Sequence, residues 1–260
     1  MRDGSARGDV RHALFLHGAG AWGGQWAIWR RVFEAEGWTV ATPDLQPAAG
    51  GIAATTLDDY RAQVREIAAM QPEGFLLVGA SLGGLLAMGL VDEAAQGRAP
   101  MPGALMLLNP LPPAPFADEL PLDAATSDAV DEAGSAAVAP IRAWHSQGRF
   151  DSTRRALTGA SFADQQLAFR HWRDESGAAL REARDGLALP NLARALTKLP
   201  TLVIASDGDT EVPPPLSTRF AEAVGASLLR VPGGHVDPVM GASAAASARS
   251  ALTWWATAAG

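Results

Sequence analysis

The chain has 260 residues, 48% of them hydrophobic and 19% charged, enough for one domain with a substantial core and one large insertion rather than several independent domains. A formal net charge of −7 disfavours a phosphate-tracking nucleic-acid surface or attraction to anionic membranes, so the expected partner is a small neutral or modestly polar molecule. The absence of cysteine excludes disulfides, thiolate metal sites and a cysteine nucleophile.

Met1 to Val10 carries charges and glycines but no apolar stretch of the kind an export signal needs, which predicts a cytoplasmic protein. Arg11 to Leu16 is a short apolar run ending at His17-Gly18, and Gln25 to Glu36 has helical periodicity closed by Gly37. Trp38 to Thr42 reads as a strand, Leu57 to Met70 as a helix, and Phe75 to Gly79 as a buried strand without polar alternation. Ser81 to Ala95 reads as a helix whose longest apolar run stops at Asp92, too short to span a membrane. Strands follow at Ala104 to Leu108 and Thr201 to Ala205, then a helix, a short strand at Ser227 to Val231 and a last helix carrying Trp254-Trp255. The alternation specifies an α/β protein built on a mostly parallel sheet with flanking helices. Lys198 is the sole lysine, and this arginine and alanine bias suggests a GC-rich bacterial genome.

About ninety residues without a strand signal separate the strands at Ala104 and Thr201, far more than an ordinary connection. We therefore expect an α/β core over 1–110 and 199–260 and a helical cap over 111–198. Leu111 to Pro140 is rich in proline, alanine and acid and predicts an irregular lid entrance; Phe162 to Trp172 and Gly177 to Leu187 carry helical periodicity.

Gly79-Ala80-Ser81-Leu82-Gly83 fits the nucleophile-elbow pattern, in which a sharp strand-to-helix turn strains the serine backbone and projects its hydroxyl. The pattern alone is weak, because a structural Ser-Gly turn produces it too. Its context is specific: a buried strand ends just before it and an apolar helix begins just after it, which places Ser81 at the strand's carboxyl end. An unassisted serine is a poor nucleophile, so a base must reach it and a third group must orient the base. Of five histidines, His235 follows Val231-Pro232-Gly233-Gly234, a loop between the last strand and the last helix from which a side chain reaches the sheet's carboxyl edge. His12 opens a strand, His145 and His171 lie in the cap, and His17 reads as a loop-orienting residue. For the acid, Asp209 and Asp207 both follow the strand Thr201 to Ala205 and spacing alone does not separate them; the turn-like Asp207-Gly208 favours Asp209. Glu211 reads as an exposed carboxylate at a helix start. Oxyanion donors are expected from backbone N–H groups of Leu82 and of the glycine-flanked Ala19. Dinucleotide binding by the same loop is disfavoured, since Gly18, Gly20, Gly23 and Gly24 do not give the G-x-G-x-x-G spacing.

From Leu14 to about Pro238, the cap excepted, the chain resembles the α/β-hydrolase family, and within it the small methylesterase and hydroxynitrile-lyase group with its bacterial relatives. The residues that carry the resemblance are His17-Gly18-Ala19 with Trp22 and Trp26, Trp38-Thr39-Val40, Pro43-Asp44-Leu45, Leu57-Asp58-Asp59-Tyr60, Leu77 to Gly84, Asp209 to Pro213 and Gly234-His235. The resemblance implies a sheet of about six strands, the acid at Asp209, four residues before Pro213, and oxyanion donors at Ala19 and Leu82. Ala80 departs from the histidine or glutamate common in these relatives. Lyases of the group rely on a lysine near the site, whereas Lys198 precedes a strand at its opposite end, which disfavours cyanohydrin cleavage.

These residues predict ester hydrolysis through an acyl-Ser81 intermediate, without metal or other cofactor, on a small or medium hydrophobic substrate. The expected substrate contacts are Gly18, Trp22, Trp144, His145 and Trp172. Thioesters, lactones, amides and some C–C bonds pass through related oxyanions, and a lyase or a ligand-binding protein that keeps the triad are the rival readings.

Overall fold

The computed structural model describes residues 11–121, 139–145 and 147–258; the amino-terminal segment read for an export signal and most of the expected lid entrance lie outside the described residues. In chain order the elements are β1 Arg11–Leu16, α1 Ala27–Ala35, β2 Trp38–Ala41, α2 Leu57–Ala69, β3 Leu76–Ala80, α3 Leu82–Ala94 and β4 Ala104–Leu108. There follow β5 Ile141–Arg142, α4 Phe150–Ala156, α5 Phe162–His171, β6 Glu175–Ser176, α6 Gly177–Arg184 and α7 Leu192–Leu196. The chain then returns as β7 Thr201–Ser206, α8 Pro214–Val224, β8 Ser227–Val231, α9 Asp237–Met240 and α10 Ala244–Ala258.

Six strands form one sheet in the order β2-β1-β3-β4-β7-β8, every neighbouring pair parallel. The two-residue alternation of a strand sorts its side chains between two cores. Leu14, Leu16, Leu77, Leu105, Leu107 and Val203 face α2 and α3. Phe15, Val78, Met106, Leu108 and Ile204 face the other way, against Trp29 and Phe33 of α1 and Ala244, Ala248 and Ala251 of α10. Both faces are covered by helices, which is why these strands read as unbroken apolar runs. On the second face Phe15 meets Trp26 and Phe33 with ring centroids 5.2 Å apart in each pair. Trp255 of α10 stands edge-on to Trp38 at 4.9 Å.

Three details differ from the sequence reading. The helical run expected from Gln25 begins as a 3-10 turn, Gly23–Trp26, and becomes α-helical only at Ala27; two successive glycines lower the helix propensity of its first turn. Between β4 and β7, where no strand was expected, β5 pairs antiparallel with β6. Strands of two residues are too short to leave a periodicity. Finally, α8 starts at Pro214, so Glu211 lies in the preceding loop rather than at the helix start.

The segment between β4 and β7 binds the loops at the sheet's carboxyl edge. The Arg173 N–H donates to Gly20 O at 2.6 Å, and the Val236 N–H donates to Ala156 O at 2.9 Å. Among the described residues no helix is long and apolar enough to cross a membrane.

Candidate active site

Ser81 stands between β3 and α3 at φ 51°, ψ −119°, a strained conformation for a residue with a side chain, worth about 1–3 kcal/mol. The surroundings hold it there. Its N–H donates to Leu108 O at 3.0 Å, and its carbonyl accepts from Gly84, Leu85 and Leu111 N–H. The flanking glycines are sterically required: a Cβ on Gly79 would lie 2.3 Å from Gly83 O, and one on Gly83 would lie 2.4 Å from Leu16 O.

His235 projects from the loop after β8 and is buried. Its Nδ1–H donates to Asp209 Oδ2 at 2.8 Å, while Asp209 Oδ1 accepts the N–H groups of Glu211 and Val212 at 2.8 and 3.0 Å. With one carboxylate oxygen locked by backbone, the other is aimed at the imidazole. Asp207, the rival acid, is instead exposed and paired with Arg230. Burial alone lowers the His235 pKa; the Asp209 charge, then that of Glu211, and the Asp209 hydrogen bond outweigh it and raise it to about 9. Glu211 Oε2 lies 3.7 Å from the other ring nitrogen, Nε2. Its side chain is 42% exposed and lines a cavity shared with Ser81; desolvation by the surrounding protein pushes its carboxyl up while the His235 charge pulls it back.

Ser81, His235 and Glu211 line one cavity of about 670 Å³. Gly18, Trp144 and Trp172, expected to contact substrate, line it too, with Ala19, Ala21, Ala80, Phe169, Val236 and Val239 as further apolar wall. Trp22 and His145 do not. Trp22 stacks on His171 at 5.0 Å, edge-on to Trp172, and so backs the wall. His145 is exposed, with Nδ1 bonded to Trp172 O at 3.0 Å and its N–H to Asp174 Oδ1 at 2.7 Å.

The loop after β1 is held from both sides. His17 Nδ1–H donates to Gly18 O at 2.8 Å, and Nε2 accepts the Leu45 N–H at 2.9 Å. A carbonyl must accept and an amide must donate, so the imidazole is neutral, and burial lowers its pKa to about 4. Glu175 of β6 clamps the same loop: Oε2 accepts the Gly20 N–H at 2.9 Å, and Oε1 accepts from Tyr60 Oη at 2.6 Å and from the Ser176 N–H at 2.8 Å. Burial, then the Glu175 charge, raises the Tyr60 phenol well above its ordinary value. Trp144 covers Gly20 so closely that a Cβ there would lie 2.2 Å from its ring. Among the described residues the N–H groups of Ala19 and Leu82 have no acceptor.

Asn109, Glu175, Glu211 and Asp237 were not singled out from the sequence for the places they take here. Asp237 is fully buried, and its Oδ2 accepts from Gly234 N–H at 2.6 Å, Gly159 N–H at 3.0 Å and Thr158 Oγ1 at 3.2 Å, joining α4's end to the His235 loop. The signal available in the sequence was slight: Asn109-Pro110 at a strand end, and an acid two residues after His235. No group of three or more His, Asp or Glu among the described residues could hold a metal ion. Lys198 precedes β7, at the edge of the parallel sheet opposite Ser81.

No curated protein matches this sequence. Among solved structures the fold is similar to that of an extracellular α/β-hydrolase from a Paenibacillus species, described as sharing structural and functional homology with tobacco salicylic acid binding protein 2 (17% identity, TM-score 0.70, covering 94% of this chain and 98% of that one). It is also similar to a pyrethroid hydrolase from Sphingobium faniae JZ-2 (21%, 0.71, 96% and 98%) and to polyneuridine aldehyde esterase (17%, 0.68, 94% and 98%). The alpha/beta hydrolase family profile matches residues 13–249, and with the parallel sheet, the strained serine after β3 and the acid and histidine after β7 and β8, this chain belongs to the α/β-hydrolase family.

Proposed function

We propose that this chain hydrolyses small or medium hydrophobic carboxylic esters through an acyl-Ser81 intermediate. His235 Nε2 takes the Ser81 proton as Oγ attacks the ester carbonyl, and Asp209 holds the imidazole by Nδ1. The Ala19 and Leu82 N–H groups, unpaired in the free protein, bind the oxyanion of the tetrahedral intermediate. The protonated imidazole then delivers its proton to the departing alcohol oxygen, and water, activated by the same base, releases the acid and regenerates Ser81. Segment 111–198 acts as the cap over this chemistry.

The observation that carries the reading is the buried Asp209–His235 pair at 2.8 Å opening onto the same cavity as a serine held at φ 51°. Trp144, Phe169, Trp172, Val236 and Val239 around it favour an apolar acyl or alcohol group. That solved structures of similar fold include an esterase and a pyrethroid hydrolase supports the ester over other acyl substrates. The test is acyl release from p-nitrophenyl esters, lactones and thioesters by the native protein, Ser81→Ala and His235→Ala. Loss of about three or more orders of magnitude in both variants is expected. Activity surviving in Ser81→Ala overturns the acyl-enzyme route.

A further inference from the structure

We infer that Glu211 is a second carboxylate acting on His235: it faces the Nε2 edge, opposite Asp209 on Nδ1, and sets the pH at which the imidazole becomes free to take the Ser81 proton. The inference rests on the reading of His235 as the base.

The geometry is asymmetric. Asp209 is spent on orientation, with Oδ1 tied to two backbone N–H groups and Oδ2 tied to Nδ1. Glu211 Oε2 stands 3.7 Å from Nε2, too far for a hydrogen bond yet close enough for a strong charge interaction, on the edge that must accept the serine proton. A negative carboxylate there stabilises the imidazolium and so delays the appearance of the neutral base. On the proposed mechanism the Nε2 that Glu211 faces is also the nitrogen that takes the serine proton, and neutral His235 emerges only as pH rises enough to overcome two carboxylates instead of one. The other charged groups around the pair are few: Arg155 of α4 lies near Glu211, and Arg142, Arg149 and Asp151 line the same cavity. Asp237, two residues after His235, is buried with Oδ2 engaged by Gly234, Gly159 and Thr158, and Asp207 is turned outward to Arg230. Arg155 favours ionised Glu211 and so keeps the carboxylate active toward His235. The Glu211 backbone N–H, not its side chain, serves Asp209, so the carboxyl can be altered while the acid stays oriented.

The experiment compares the native protein with Glu211→Gln and Glu211→Asp by two readouts. One is titration of the His235 ring by NMR; the other is the pH dependence of Ser81 labelling by a fluorophosphonate. In Glu211→Gln both midpoints are expected to fall by about one pH unit, making labelling about tenfold faster on the acid side of the limb. Glu211→Asp, which keeps the charge on a shorter stem, is expected to return most of the shift. Coincident His235 titrations in native protein and Glu211→Gln overturn the inference. A serine that labels at no pH overturns the hydrolase reading instead, while the NMR titration still decides the role of Glu211.

Discussion

Asn109 Nδ2 donates to the carbonyl of His235 at 2.7 Å and to Ser206 Oγ at 2.8 Å, while Asn109 Oδ1 accepts the Ser206 N–H at 2.8 Å. One buried amide thus joins the carboxyl ends of β4 and β7 to the loop that carries the proposed base. Asn109 adopts φ 41°, a left-handed conformation that asparagine tolerates better than most residues. Replacing it with alanine removes all of these bonds, leaves the Ser206 N–H unpaired and strains the backbone. We expect Asn109→Ala to lose about 2–4 kcal/mol of stability. Turnover should fall about tenfold or more as His235 loses its anchor, read by urea denaturation and by kcat on the best ester.

Glu175 reaches the loop after β1, which carries the proposed oxyanion donor Ala19, from β6, and all of its partners, the Gly20 and Ser176 N–H groups and the Tyr60 hydroxyl, donate to it. A glutamine must turn its own NH₂ toward one of the backbone donors. Glu175→Gln is therefore expected to lower kcat about tenfold with little change in KM, and to weaken binding of a boronic acid that mimics the tetrahedral intermediate by a similar factor. A change in KM alone would assign Glu175 to substrate binding rather than to positioning.

The two buried histidines give stability opposite pH slopes. His17 is neutral in the fold with its pKa lowered to about 4, so the unfolded chain binds a proton that the native state refuses, and stability is lost as pH falls from about 6.5 toward 4. His235 is raised to about 9, so the native state keeps a proton that the unfolded chain releases, and stability is lost as pH rises from about 6.5 toward 9. Urea midpoints should peak near pH 6.5, the alkaline slope should flatten in His235→Gln, and ester turnover should rise across the window in which stability falls.

Asp237 is the tie between α4 and the His235 loop. Asp237→Ala strands the Gly234 and Gly159 N–H groups and the Thr158 hydroxyl. We expect about 3 kcal/mol or more of destabilisation and earlier proteolytic cutting near Thr158, measured by urea denaturation and limited proteolysis.

Much of this arrangement is legible in the chain because the signals are local. β1, β4 and β8 begin and end at the residues their sequence runs indicate; β4, covered on both faces, carries no charge, whereas β1 opens on exposed Arg11 and the edge strand β8 turns Arg230 outward. Gly79-Ala80-Ser81-Leu82-Gly83 is visible because a tight turn dictates residue types at fixed offsets. Asp209 and His235 are visible because each follows a strand in a glycine-rich or proline-rich loop, and the fold sets them together. What is hidden depends on contacts far apart in sequence: Glu175 meets Gly20 across 155 residues, and Asn109 meets His235 across 126. A lone acid or amide gives no local sign of such a partner. Trp22 and His145 show the converse, since aromatic character marks a residue near the cavity without deciding whether it faces the cavity or supports its wall.

The most direct test is rapid quenching of native protein with its best p-nitrophenyl ester, followed by peptide mapping by mass spectrometry. One transient acyl adduct is expected, on Ser81, forming with the burst of p-nitrophenol and absent in Ser81→Ala. Turnover at the native rate with no adduct on Ser81, or an adduct on another residue, would contradict the acyl-Ser81 route.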